Sequence, residues 1–225
     1  MFLLDLLKSN PQIGLVLILT LVFSLSFHEF SHAYLAYKLG DNTAADQGRL
    51  TLNPIAHLDL VGSLMLLFVG FGYAKPVPVN PMNLSNPRED MMKIAFAGPA
   101  SNLFLCLIGC FLIRLFAFGG IGGEQLYYIG YLKPVNQLGL ILWIFSSINM
   151  TLAIFNLIPI HPLDGGQIFG NYLDRIDPDF SYKLRVYGPK VLMAIIFFGI
   201  LTGFSVISII ISPFRDLVAI LSGIK

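Results

Sequence analysis

Four stretches of this 225-residue chain run for twenty residues or more without a charged side chain: 9–28, 94–113, 134–163 and 191–214. A helix needs about 20 apolar residues to cross a bilayer, since each residue rises about 1.5 Å and the hydrocarbon core is about 30 Å thick. Inside lipid every backbone N–H and C=O has to be bonded within the protein, so such stretches are confined to helices. Composition agrees: 56% of residues are hydrophobic and 12% are charged, against about 25% charged in soluble domains. We expect an all-α polytopic membrane protein with about four transmembrane helices, forming one domain over 1–225. The first helix is expected to continue to about Lys38, and the C-terminal span to lie near 188–214.

Residues 60–74 are apolar but too short to span, and Gly62, Gly70 and Gly72 interrupt them. They lead into Lys75-Pro76-Val77-Pro78-Val79-Asn80-Pro81. A segment this short and broken is expected to dip in and return, or to form a local hairpin. Positive charge supports this reading. With 60–74 re-entrant, Lys38, Arg49, Lys75, Arg88, Lys93, Arg175, Lys183, Arg185 and Lys190 fall on one side, against Lys8, Lys133, Arg215 and Lys225 on the other. The richer side is expected to be cytoplasmic.

At the end of the first uncharged stretch stands His28-Glu29-Phe30-Ser31-His32. On a helix, residues four apart share a face. Two neutral imidazoles so placed can chelate one Zn²⁺, with Glu29 beside the metal as general base. The alternative, two helix histidines packed against neighbouring spans, leaves Glu29 at membrane depth without a task. A catalytic zinc takes three protein ligands and keeps one position open. Asp164, which follows the third stretch and opens Leu163-Asp164-Gly165-Gly166-Gln167, is the leading third ligand. Its other reading is a helix cap. The net charge of +1 gives no electrostatic case for nucleic acid, and no nucleotide-binding motif is present. Cys106 and Cys110, one helical turn apart in an apolar run, read as small apolar fillers. A removed signal peptide is not expected, because no small-residue cleavage site follows the first stretch.

Four elements together resemble the site-2 protease family of intramembrane zinc metalloproteases: His28 to His32, Asn53-Pro54-Ile55-Ala56-His57, Ala97-Gly98-Pro99-Ala100-Ser101-Asn102, and Phe155-Asn156-Leu157-Ile158-Pro159 running into Leu163-Asp164-Gly165-Gly166. The resemblance covers about 12–170, in a compact form without room for PDZ or CBS domains. It implies Asp164 as third zinc ligand. It also implies that Asn102 and Asn156 hold the substrate strand or the oxyanion, and that a re-entrant β-like element matches Gly70 to Asn80. Buried amides also bond helix to helix, which is the plainer reading of both asparagines. His161, three residues before Asp164, is a possible outer-sphere or pH-sensitive neighbour; the plainer reading is an interface histidine with water. His57 is expected to serve its loop, since a fourth protein ligand would close the site.

The function implied is zinc-dependent endopeptidase cleavage of transmembrane segments of membrane-anchored proteins, with one Zn²⁺ per chain. The partners implied are a transmembrane protein substrate and the lipid bilayer, with no nucleic acid and no nucleotide. A prokaryotic inner membrane is expected, with the active site towards the cytoplasm. The rival readings are a divalent-metal transporter and an inactive relative that binds membrane helices. Transport needs polar groups along a whole path, whereas here they gather near one face. An inactive relative has no use for Glu29.

Overall fold

The computed structural model describes residues 2–69, 72–117, 126, 127, 129 and 132–225. Among these residues the α-helices are α1 (Phe2–Ser9), α2 (Pro11–Lys38), α3 (Thr43–Asp46), α4 (Pro54–His57), α5 (Leu60–Val69), α6 (Pro87–Phe116), α7 (Gln137–Asn156), α8 (Asp164–Ile176), α9 (Pro178–Thr202) and α10 (Val206–Ser222). Four of them, α2, α6, α7 and α9, are long and apolar enough to cross a membrane. Strand content among the described residues is limited to two isolated bridges.

Local chemistry sets the helix limits. Asn10 caps α2, its side chain accepting from Ile13 N, with Pro11 in the first turn where its missing N–H costs nothing. The helix stops at Leu39-Gly40, where Gly40 takes φ 105°, a region that glycine enters without a Cβ clash. Asn136 caps α7 by accepting from Gly139 N at 2.8 Å. That helix ends at Asn156, short of the expected 163, because Pro159 and Pro162 follow and bias the residues before them away from helical geometry.

The C-terminal stretch also departs from expectation. The run 191–214, placed within a single span 188–214, is not one helix. Gly203, at φ 73°, caps α9, and α10 starts at Val206. Ile207 packs beside Leu163 and Leu192, Val218 beside Cys106, Cys110 and Met150, and Ile224 beside Ile113 and Val135. So α10 runs along α6 and antiparallel to α7, while α9 packs on α8 and α10.

The core is therefore a bundle of α2, α6, α7 and α10. The cysteines lie inside it as apolar fillers, free and buried. Among the described residues of 60–74 there is no helix long enough to span. α5 is ten residues long, about 15 Å, and meets α1, which folds back so that Leu7 lies on Gly14. The described return, Gly72 to Asn80, has no regular secondary structure apart from Ala74, bridged antiparallel to Leu58, and reaches extended geometry at Asn80. Gly70, where the β-like element was expected to begin, lies outside the described residues. Arg114, on the last turn of α6, lies at the end opposite the positive loops, where it donates to the carbonyls of Ile220 and Leu221.

Candidate metal centre

The centre forms where α2, α6 and the start of α8 meet. His28 and His32 lie one turn apart on α2, 4% and 8% exposed. His28 Nδ1 is 2.6 Å from Asn102 Oδ1. The amide is oriented by its other end, because Asn102 Nδ2 donates to Asn149 Oδ1 at 2.9 Å and to the Ser24 carbonyl at 3.3 Å. Nδ1 of His28 is therefore the protonated nitrogen. His32 Nδ1 is 2.7 Å from the Ile94 carbonyl, which only accepts, so that nitrogen donates too.

In the neutral form, both Nε2 atoms are then left as lone pairs. They point at one another across 3.0 Å. Asp164 completes the group: Oδ2 is 3.1 Å from His28 Nε2 and Oδ1 is 3.4 Å from His32 Nε2. The three ligand atoms lie within 4.8 Å of one another, and Asp164 Oδ2 is buried without a hydrogen-bond partner. Acceptors converging without a donor repel one another unless a cation lies among them. Two imidazoles and one carboxylate are a donor set that zinc takes, and a second set of partners fixes the rings, as metal-bound histidines require.

Gly98 supplies the room. A Cβ there would lie 2.5 Å from His28 Nε2, with His32 Nε2 closer still. Pro99 follows inside α6; it has no N–H, and its ring crowds the preceding turn, the turn whose Ile94 carbonyl holds His32. On α8, a Cβ at Gly165 would strike the Leu157 and Ile158 backbone, and one at Gly166 would lie 2.5 Å from His161 N. Both glycines let the 157–163 loop fold tightly onto α8 and bring Asp164 to the histidines.

Glu29 is half-buried on α2, and its Oε2 accepts from Val77 N at 3.1 Å. The segment holding Val77 is fixed on its other side by the buried Arg49, which donates to the Lys75 carbonyl at 2.6 Å, and Lys75 N donates to the His57 carbonyl. Asp41, wholly buried, accepts from Thr43, from Asn80 N and from Asn83 Nδ2. Burial pushes its carboxyl upward, but the donors from Thr43, Asn83 and Asn80 outweigh that and hold it below the usual carboxylate range.

The remaining expected residues fall elsewhere. Asn102 is 0% exposed; its Oδ1 lies against His28 and its Nδ2 donates to Asn149 and to the Ser24 carbonyl. Asn156 donates to the Leu152 carbonyl on its own helix, half-buried. His57 donates from Nε2 to the Thr51 carbonyl at 2.7 Å and serves its loop. His161 sits between Gly170 and Gly188, apart from the metal-binding cluster. Burial, and then Arg185, push its pKa down, partly opposed by Asp174. Asn149 was missed. An asparagine in the middle of an uncharged span, seven residues before Asn156, was the signal that could have found it.

The model of peptidase family M50 matches residues 16–199. YwhC from Bacillus subtilis, whose name assigns it zinc metalloprotease activity, is 44% identical over 168 residues, 75% of this chain and 72% of that protein. A zinc metalloprotease from Methanocaldococcus jannaschii is 25% identical over 92% of this chain and 49% of its own length. A solved site-2 protease from the same archaeon covers 98% of this chain and 82% of its own, at 21% identity and a TM-score of 0.48. The family match spans more than half of the chain and takes in the paired histidines, the glutamate and the aspartate, so this protein belongs to peptidase family M50 and is a zinc metalloprotease with membrane-spanning helices.

Proposed function

We propose that this protein hydrolyses a peptide bond within, or at the cytoplasmic edge of, the transmembrane segment of a membrane-anchored substrate. The carrying observation is the convergence of two imidazole lone pairs and one carboxylate, buried beside Glu29 in a chain with spans on either side. His28, His32 and Asp164 would hold one zinc ion per chain. When bound, zinc supplies a Lewis acid that polarises the scissile carbonyl and makes water acidic enough to deprotonate near neutral pH.

The chain's own groups do the rest. Glu29 takes the proton from the attacking water and delivers it to the leaving amine. The Val77 N–H holds one oxygen of that carboxylate, fixing its rotamer and leaving the other oxygen to carry the proton. Asn102 keeps Nδ1 of His28 protonated, so Nε2 stays a ligand. Asn156, at the end of α7, binds the substrate strand or the oxyanion by exchanging its bond to the Leu152 carbonyl. A helical substrate has its carbonyls bonded internally and has to unwind before attack. The segment 72–80 runs beside Glu29, and its backbone carbonyls can receive the N–H groups of an unwound strand. His32 lies six residues from Lys38, about 9 Å along the helix, which puts the reaction below the more positive surface. By the positive-inside tendency that surface is cytoplasmic, and the membrane is the prokaryotic inner membrane.

The test is cleavage of a single-span substrate in liposomes, with the new ends mapped by mass spectrometry. New ends inside or at the edge of the span, absent with Glu29→Gln, are expected. Cuts confined to soluble loops would sink the reading.

A further inference from the structure

A cavity of about 530 Å³ lies one helical turn outside the metal centre. Its wall is built by Pro81 after the segment 72–80, Arg88 on the first turn of α6, His161, Gln167 and Asn171 on and before α8, and Arg185 on α9. Two guanidinium groups face it and no carboxylate lines it. Arg185 is paired with Asp174, which lies one turn beyond Asn171 on the same face of α8 and also feels the charge of Arg88; Arg88 itself has no direct ion pair among the described residues, so its guanidinium is the one left for a ligand. Gln167 and Asn171, one turn apart on α8, add two amides. The positive end of the α6 dipole points the same way, and Asn86 gives it no side-chain cap.

Its position ties the cavity to the reaction. Met91, also in the wall, is one residue short of a turn from Ile94, whose carbonyl holds His32. Gln167 is three residues after Asp164. The segment 77–81 connects Glu29 to the cavity: Val77 N bonds the Glu29 carboxylate, and Pro81 is in the cavity wall. Four residues reach at most about 13 Å.

We infer that this cavity is a substrate subsite for an acidic side chain, Asp or Glu, about four residues to the cytoplasmic side of the cleaved bond. This rests on the proposed function above. The Val77 and Asn80 N–H groups are held by Glu29 and Asp41, and Pro78 and Pro81 have none, so a substrate strand laid along 77–81 meets mainly carbonyls there; its fourth residue reaches Arg88, which can grip a carboxylate through two parallel N–H···O bonds, with the Gln167 amide as a further donor. A lipid phosphate would match the charge, but the segment 77–81 leads from Glu29 to this cavity, and that favours the substrate's own chain.

The experiment uses the full-length zinc-loaded protein in liposomes and single-span substrates that carry Glu or Gln at each of the eight positions on the cytoplasmic side of the mapped cut. Each Glu/Gln ratio of kcat/KM is taken within one preparation, so any loss of folded protein cancels. Wild type is expected to prefer Glu about tenfold, about 1.4 kcal/mol, with the peak near the fourth position. Arg88→Gln is expected to bring the ratio near one, and Arg88→Glu to turn the preference towards a Lys substrate. Equal cleavage of Glu and Gln substrates at every position overturns the subsite while leaving the protease reading intact. So does a rate that follows the anionic-lipid content of the liposome and ignores the flank. Absence of any cut in the span, with Glu29→Gln no different from wild type, overturns both.

Discussion

Replacing Gly98 with alanine places one methyl group where the metal belongs. The Cβ would lie 2.5 Å from His28 Nε2 and 2.6 Å from His28 Cε1, against ordinary contacts of about 3.5–4.0 Å between carbon atoms. Zinc–imidazole bonds are about 2.0–2.1 Å, so a methyl at that distance takes the volume of the ion. Neither ring can swing away cheaply: His28 is tied to Asn102 at 2.6 Å and His32 to Ile94 at 2.7 Å. Losing even one ligand's geometry should weaken zinc at least 100-fold, with activity falling alongside. Overpacking costs roughly 1–3 kcal/mol, and alanine's better helix propensity returns up to about 1 kcal/mol, so the bundle should still fold. Metal content by plasma mass spectrometry, paired with thermal unfolding in detergent, reads both effects. Stoichiometric zinc and activity within twofold of wild type would refute the reasoning.

Asn102→Ala should lower zinc affinity or turnover about 10- to 100-fold by freeing the His28 tautomer; a titration with a zinc chelator measures this, and an unchanged midpoint would contradict it. Asp41→Ala should destabilise the fold by roughly 2–3 kcal/mol, because the Asn80 and Asn83 donors lose their acceptor. Asp41 has a folded pKa below its unfolded one, so its contribution is complete above about pH 4 and is lost as pH falls through the folded value. The stability gap between wild type and Asp41→Ala should therefore hold steady from pH 7 to about pH 4 and shrink as the pH is lowered further, read from unfolding curves across that range. Cysteines placed at Asn42, Asn83 and Asp179, in a variant lacking Cys106 and Cys110, should all label from the cytoplasmic side; labelling of the first two from opposite sides would show that residues 60–74 cross.

The parts legible in the sequence were those governed by local rules. An uncharged run bounded by charges is a helix in lipid, and His-x-x-x-His on a helix shares a face whatever packs around it. The site needed more than spacing. Asp164 could equally have been a helix cap until the structure placed its carboxylate against both Nε2 atoms. Asn102 stood between a substrate role and helix-to-helix bonding because an amide in a span has no visible direction in sequence; its contacts with His28 and Asn149 are long-range. The division of 191–214 was missed because no charge interrupts the run; the signal was Thr202-Gly203-Phe204-Ser205, weak helix formers around a glycine that takes a positive φ. Likewise, Arg88 and Arg185 are 97 positions apart in the chain, and only the folding of α8 and α9 over the start of α6 puts them on one cavity.

X-ray absorption at the zinc edge of the purified protein tests the metal centre most directly, together with the number of zinc ions per chain. The expected result is one zinc per chain with nitrogen and oxygen scatterers at about 2.0–2.2 Å and two imidazoles, falling to one in His32→Ala and to no bound zinc when His28, His32 and Asp164 are all replaced by alanine. A sulfur shell at about 2.3 Å, which would point to Cys106 and Cys110, or full zinc occupancy in the triple variant, would contradict the assignment.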